Sequence, residues 1–111
     1  MTYAERLVLH RRRLGMNQDE YAAMLSRQQG LKYTWRDVMD AEHGRKNLGP
    51  VALVPSKPLP HEWCFLQRRR RGLRQSEVAV LVGCSRLWLN RMEKGLEDCE
   101  KLVGYWKRQS V

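Results

Sequence analysis

The chain has 111 residues, a formal net charge of +9 and a sequence pI near 10.0. This length leaves room for one domain or two very small ones and excludes large enzyme scaffolds such as an α/β barrel. With 42% hydrophobic residues the chain can build a core, but it contains no apolar run of the ~20 residues that a membrane span needs.

Three helices are predicted in the first half of the chain, over residues 3–14, 18–25 and 34–43. Thr34 is the candidate N-cap of the third helix, since its hydroxyl can accept from the exposed amides of a first turn. Between the second and third helices, residues 26–33 are expected to form a long turn.

A proline-rich linker is predicted over residues 48–60. It contains Gly49 and four prolines, which exclude a helix across the whole stretch. Residues 51–54 are apolar, so part of the linker is expected to be packed or extended.

Four helices are predicted in the second half, over residues 62–71, 75–82, 86–94 and 97–108. Gly83 supplies the left-handed turn between the second and third of these helices, and Ser85 is the N-cap candidate that follows. Leu89 and Met92 form the inward face of the third helix at a spacing of i, i+3.

The two halves resemble each other at an offset of 57 residues. Residues 5–25 and 62–82 are identical at nine positions, including the arginine runs 11–13 and 68–70. The offset then falls to 51, so that Glu42 aligns with Glu93. The sequence therefore predicts a first unit over 1–47 with an expanded turn at 26–33, a linker over 48–60, and a second unit over 61–111.

The second unit contains the pattern Arg68-x3-Gly72-Leu73-x-Gln75-x-Glu77-Val78-Ala79-x2-Val82-Gly83-Cys84-Ser85-x3-Leu89-x3-Glu93-x-Gly95. This pattern resembles the signature of the Cro and lambda-repressor-like helix-turn-helix family, which is also called XRE-like. The first unit is similar to it through Arg11-x3-Gly15-Met16-Asn17-Gln18-x-Glu20-Tyr21-Ala22-x2-Leu25 and Thr34-x3-Val38-x3-Glu42-x-Gly44. The resemblance implies an all-α protein of two tandem lambda-repressor-like helix-turn-helix units, which we expect to pack into one compact body that shares the C-terminal helix.

The resemblance also implies a DNA interface, because the third helix of such a unit enters the major groove and the second helix abuts the phosphates. The candidate base contacts are Arg86, Leu87, Asn90, Arg91, Trp35 and Arg36. The candidate contacts to the DNA backbone are Gln18, Gln75, Arg74, Ser85, Lys94, Arg45 and Lys46. For the two glutamines the alternative is an ordinary role at the start of a helix.

Several other residues are given structural roles. One arginine of each run is expected to pair inside its unit with Glu42 or Glu93. Trp63 and Trp106 are expected in a core or in contacts between the two units. Trp88 is expected in a core, and a contact to a DNA sugar is the alternative. His61 and Cys64 lie three residues apart, but no Cys-x2-Cys pair exists and Cys84 and Cys99 are expected to be distant, so neither a metal site nor a cofactor is predicted.

Two functions remain open at this point. The first is a sequence-specific regulator of Cro or repressor type that binds double-stranded DNA in the cytoplasm of a bacterium or a phage-infected cell, as a monomer or a homodimer, with no membrane partner. The second is a protein-interaction module, such as an antirepressor, antitoxin or nuclease inhibitor. Asp37 and Asp40 favour the second function for the first unit, because phosphates repel carboxylates. An enzyme is not expected, since no catalytic constellation is found.

Overall fold

The computed structural model describes residues 1–49 and 57–109, and every regular element in these ranges is an α-helix. The helices are α1 (Tyr3–Arg13), α2 (Gln18–Gln29), α3 (Trp35–Glu42), α4 (Pro60–Arg70), α5 (Gln75–Val82), α6 (Arg86–Glu93) and α7 (Glu100–Gln109). The chain divides into two compact units, unit 1 (Met1–Lys57) and unit 2 (Pro58–Val111). The predicted all-α fold is confirmed, while the packing of the units into one body stays a prediction.

In unit 1, α3 packs against both α1 and α2. The first two helices begin at capping boxes, in which the side chain of Thr2 accepts from the Glu5 amide and that of Asn17 from the Glu20 amide. The side chains that meet in the middle form one buried cluster of Leu7, Tyr21, Ala22, Leu25, Val38, Ala41 and Leu48.

Helix α2 is longer than predicted. It continues through residues 26–29, which were assigned to the expanded turn, and ends at Gly30 with a φ of 66°. No glycine or proline interrupts the chain before Gly30, and Gln29 donates from Nε2 to the Leu48 carbonyl at 2.9 Å. The extra residues of the first half therefore mainly add one helical turn.

The predicted linker over 48–60 is described only at its two ends, because the apolar stretch 51–54 and two of the prolines lie outside the described residues. Leu48 belongs to the core of unit 1, with 0% of its surface exposed. Pro60 is the first residue of α4, a position where a missing N–H leaves no hydrogen bond unmade.

In unit 2, α4 packs against α6 and α7, and α5 packs against the same two helices. Their buried cluster is Cys64, Val78, Ala79, Val82, Leu89, Met92, Leu102 and Trp106. Trp106 is 1% exposed and Trp63 lies partly buried against the cluster, as predicted. Helix α7 begins three residues later than expected, since Asp98 Oδ1 accepts from the Glu100 amide at 3.0 Å and so holds the chain just outside the helix.

The polar contact between His10 and Tyr21 should make unit 1 sensitive to acid. His10 Nδ1 lies 2.7 Å from the Tyr21 hydroxyl, and burial together with the Arg13 charge lowers the pKa of His10 below its ordinary value of 6.5. Because the unfolded chain protonates first, stability is fully present above pH 6.5 and falls as the pH drops below it. Urea unfolding at pH 7.5 and 5.5, monitored through NMR signals of unit 1, measures this loss of stability.

The matched control for this prediction is His10→Gln, since unit 2 has Gln67 at the equivalent position. In this variant, the free energy of unfolding of unit 1 should differ less between pH 7.5 and pH 5.5 than it does in the wild type. An equal pH dependence in the wild type and the variant would show that His10 does not carry the effect.

Candidate nucleic-acid interface

The helix-turn-helix of unit 2 consists of α5, a three-residue turn and α6. Gly83 ends α5 with a φ of 83°, a left-handed conformation that residues with a Cβ rarely adopt. Ser85 begins α6 by accepting a hydrogen bond from the Trp88 amide at 3.1 Å. Leu89, Met92 and Glu93 then hold the inner side of α6 within the unit, which leaves its other faces for solvent.

The outer side of α6 carries the residues predicted to contact bases. Arg86 and Arg91 are exposed, Leu87 is 69% exposed, and Asn90 is half-buried beside α5. Trp88 was expected in a core, and this is wrong: 46% of its surface is exposed. A rotation of about 100° per residue separates Trp88 from its inward neighbour Leu89, so only one of the two can face the core.

A buried polar network lies behind α6. Arg68 donates to Glu93 through Nε at 2.8 Å and through its NH2 group at 2.9 Å, and Glu93 is 1% exposed. The remaining guanidinium nitrogen donates to the Leu73 carbonyl at 3.0 Å, which ties α4 to the chain before α5. The predicted internal ion pair between the arginine run and Glu93 is confirmed.

Gln75, predicted to contact the DNA backbone, belongs to the same network. Its Nε2 lies 3.1 Å from Glu93 Oε1 and 3.2 Å from Asn90 Oδ1. The side-chain amino group is therefore engaged inside unit 2, and the backbone N–H remains for a phosphate, because the side-chain oxygen can only accept.

The cations around α6 differ in what they contact. Arg91 donates to Glu97 Oε1 at 2.9 Å, and Arg74 pairs with Glu77 at 3.1 Å, both near the surface. Arg86 and Lys94 form no ion pair with any residue in the described ranges. These two cations can meet an incoming polyanion directly, whereas Arg91 must first leave a carboxylate.

Unit 1 contains the same buried network with one difference. Arg11 pairs with Glu42, which is 5% exposed, and donates to the Met16 carbonyl at 3.1 Å. Gln18 Nε2 donates to Glu42 Oε1 at 3.1 Å, as Gln75 does to Glu93. Met39 occupies the place that Asn90 has in unit 2, so the network of unit 1 ends at the glutamine.

Charged side chains on the outer side of α3 form ion pairs with cations that follow the helix. Lys46 hydrogen-bonds to Asp37 and lowers the pKa of that carboxyl, while Asp37 in turn raises the pKa of Lys46. Arg45 pairs with Asp40 at 2.8 Å. The two cations predicted to grip the DNA backbone are thus held by the carboxylates that were expected to repel it.

A groove of about 540 Å³ opens between the starts of α2 and α3 in unit 1. Trp35, 42% exposed, forms one wall, and the guanidinium of Arg36 lies 5.4 Å from the centre of its ring. The lining residues are Asp19, Ala22, Ala23, Tyr33, Thr34, Trp35 and Arg36. Both predicted base contacts of unit 1 therefore line a concave surface that combines an aromatic ring with opposite charges.

The cysteines of unit 2 lie closer together than predicted. Cys99 was expected to be distant from Cys64, and this is wrong, because Cys99, just before α7, packs against the buried cluster that contains Cys64. Burial and the neighbouring Cys99 raise the pKa of Cys64 to about 12. Within residues 1–49 and 57–109, no three His, Cys, Asp or Glu side chains group as metal ligands do.

The sequence suggested neither the Gln75–Asn90 bond nor the pairing of Arg45 and Lys46. Both contacts depend on side-chain directions across a turn, which spacing alone does not define. One signal was present, since residues 37–46 place three carboxylates and two cations on a short stretch. Opposite charges at such close spacing favour local pairing over long-range attraction.

The ion pair behind α6 should be the main polar contribution to the stability of unit 2. Arg68→Met leaves Glu93 buried without its guanidinium and should cost about 3–5 kcal/mol in the free energy of unfolding. Arg74→Ala, which removes an ion pair exposed at the surface, should cost much less, because solvent screens such pairs. Urea denaturation of the two variants compares the losses, and equal losses would contradict a structural role for Arg68.

Comparison with known proteins supports the helix-turn-helix assignment for unit 2. Residues 66–100 match the sequence model of a protein family described as a helix-turn-helix domain. The match runs from within α4, through the whole of α5 and α6, to the first residue of α7. No curated protein and no solved structure matches the chain significantly. The predicted resemblance is thus confirmed for the second half at the level of a helix-turn-helix domain, and the tandem repeat stays a prediction.

Proposed function

We propose that the protein is a sequence-specific regulator of transcription that binds double-stranded DNA in the manner of Cro-type repressors. The observation that carries this proposal is the division of α6 into two sides. Its inner side is held by Leu89, Met92 and Glu93, and its outer side presents Arg86, Leu87 and Arg91 to solvent, with Asn90 at the boundary. This is the arrangement that a helix needs to enter a major groove without losing its hold on the domain.

Charge supports the same function. Residues 51–111 carry twelve basic and six acidic residues, a net charge of +6, against +3 for residues 1–50. Backbone attraction is then supplied by Lys94, Arg74 and the N-terminus of α5, where the free amides and Gln75 lie. Ser85 lies at the start of α6 and keeps its hydroxyl proton for a phosphate oxygen.

Base recognition in this proposal falls to three types of side chain. Arg86 and Arg91 can each donate two hydrogen bonds to the O6 and N7 atoms of a guanine, and Leu87 can contact a thymine methyl group. Asn90 reads a fourth position. A homodimer would supply two such helices to one operator, and Val80 and Leu81 on the outside of α5 offer exposed apolar side chains for it. Such a regulator would act in the cytoplasm of a bacterium or a phage-infected cell.

A second function is proposed for unit 1, which the geometry favours as a protein-binding module. The cations Arg45 and Lys46 are paired with carboxylates on or beside α3, and the groove beside Trp35 suits a peptide side chain better than a duplex. Asp19 lies in the first turn of α2, where a DNA-binding unit would receive a phosphate. An antirepressor, antitoxin or nuclease-inhibitor role would use this surface.

The DNA proposal predicts strongly salt-dependent binding with a sequence preference. Duplexes selected from a random library should bind more tightly than unselected ones, and affinity for both should fall steeply between two salt concentrations. Arg91→Ala should relax the preference at one base pair by about 1–3 kcal/mol. Glu97→Gln should increase affinity, because it removes the carboxylate that competes for Arg91.

The control for net charge is Lys107→Ala on α7, which removes one positive charge away from α6. It should reduce affinity for all sequences alike. Flat salt dependence, or equal sequence preference in the wild type and Arg91→Ala, would contradict the proposed role of α6.

The two roles of unit 1 are separated by Arg36→Ala and Trp35→Ala. If unit 1 binds protein, both variants should keep the sequence preference of the wild type in duplex titrations. A lost preference at one base pair in Arg36→Ala would instead assign α3 to the major groove.

A further inference from the structure

Unit 2 exposes two large apolar side chains beside a cation. Val80 on α5 is 81% exposed and Leu87 on α6 is 69% exposed, which are the highest values for large apolar residues in the described part of the chain. Arg86, next to Leu87, is exposed and forms no ion pair within the described ranges. We call Val80, Arg86 and Leu87 the ridge of unit 2. Exposed apolar surface of this kind is typical of an interaction site.

The equivalent surface of unit 1 is the groove described above. The alignment of the two halves pairs Ala23 with Val80 and Arg36 with Leu87, and both unit 1 residues line the groove. The small side chain of Ala23 leaves open the space that Val80 occupies in unit 2. One surface is therefore concave in unit 1 and covered by exposed apolar side chains in unit 2.

The groove also offers an anion that has no cation of its own. Asp19 lines it, is exposed, and forms no ion pair with any residue that the structure describes. Asp37 and Asp40, in contrast, are paired with cations that follow α3. Trp35 adds an exposed aromatic ring to the same groove. The groove thus suits a protein surface that combines apolar side chains with a cation, which is the composition of the ridge.

We propose that the groove of unit 1 binds the ridge of a second copy of this chain. In this contact, Val80 and Leu87 of the second copy pack against Trp35, and its Arg86 pairs with Asp19. The contact is heterologous, because the groove of one copy meets a different surface on the other. This inference rests on the proposed protein-binding role of unit 1 and names the partner.

Self-association through the ridge competes with DNA binding. Arg86 and Leu87 are candidate base contacts, and a ridge that lies in the groove of another copy cannot enter a major groove. The contact therefore differs from the operator-bound homodimer considered above, in which both α6 helices stay accessible. It keeps protein that is not on DNA in an associated form.

Sedimentation equilibrium of the full-length protein without DNA measures this association. The average mass should rise above the 13.2 kDa of one copy as the protein concentration increases. Asp19→Arg and Val80→Asp should each weaken the association by more than about tenfold, because each substitution brings like charges together in the contact. The matched control is Leu96→Asp, at a leucine that is exposed outside the ridge, and it should change the association by less than about twofold.

Mixing the two variants tests which surfaces meet. The Asp19→Arg variant keeps an intact ridge and the Val80→Asp variant keeps an intact groove, so an equal mixture should form pairs although neither variant associates alone. The double variant Asp19→Arg, Arg86→Asp should associate more tightly than Asp19→Arg, because it restores the ion pair with the charges exchanged.

Four results would overturn the inference: the mass of one copy at every concentration, unchanged association in Asp19→Arg, equal weakening by Leu96→Asp, or a mixture of the two variants that stays monomeric. The duplex titrations of Arg36→Ala and Trp35→Ala test the protein-binding role of unit 1 separately. If both variants keep the sequence preference while the wild type is monomeric, only the choice of partner is wrong. A preference lost in Arg36→Ala would reject both the role and the partner.

Discussion

In each unit, a glutamate at the end of the third helix is buried and must be neutralised there. Glu93 and Glu42 receive this compensation from an arginine at the end of the first helix of the same unit, and a glutamine from the second helix supplies another hydrogen bond. Burying a lone carboxylate would be prohibitively costly, so the three helices of a unit can pack only in the arrangement that brings these groups together. The network therefore defines the angle at which the third helix is presented, and the apolar cluster fills the space around it.

The same network has different consequences in the two units. In unit 2 it continues through Gln75 to Asn90, and the outer side of α6 keeps exposed cations. In unit 1 it ends at Gln18, and the outer side of α3 pairs its charges internally. One scaffold thus supports two surfaces with different electrostatic character. The scaffold residues can be the same in both units because they lie behind the surface that differs.

Much of the fold and the two internal ion pairs could be predicted from the sequence, because these features follow from local signals and from the repeat. The start of α5 and the N-caps Thr34 and Ser85 follow from residue types at helix ends, and the offset between the two halves indicated that Glu42 and Glu93 pair with the arginine runs. Other features depend on tertiary packing. The additional turn of α2 is stabilised by Gln29 reaching Leu48, and the exposure of Trp88 follows from which neighbour on α6 takes the core position. The proximity of Cys64 and Cys99 requires the path of the chain between α6 and α7, which no spacing rule supplies.

The ion pair between Arg91 and Glu97 has a consequence for how such a protein would find its site. If α6 enters a major groove as proposed, Arg91 must give up Glu97 on every duplex that it contacts, so the pair costs the same free energy on a wrong sequence as on the right one. On a wrong sequence Arg91 would exchange the carboxylate for a phosphate and gain little, because both are exposed anions. On the right sequence it would gain two directed bonds to a base. The carboxylate would thus shorten the time that the protein spends on every unproductive duplex, and only the bonds to the right base would offset that loss.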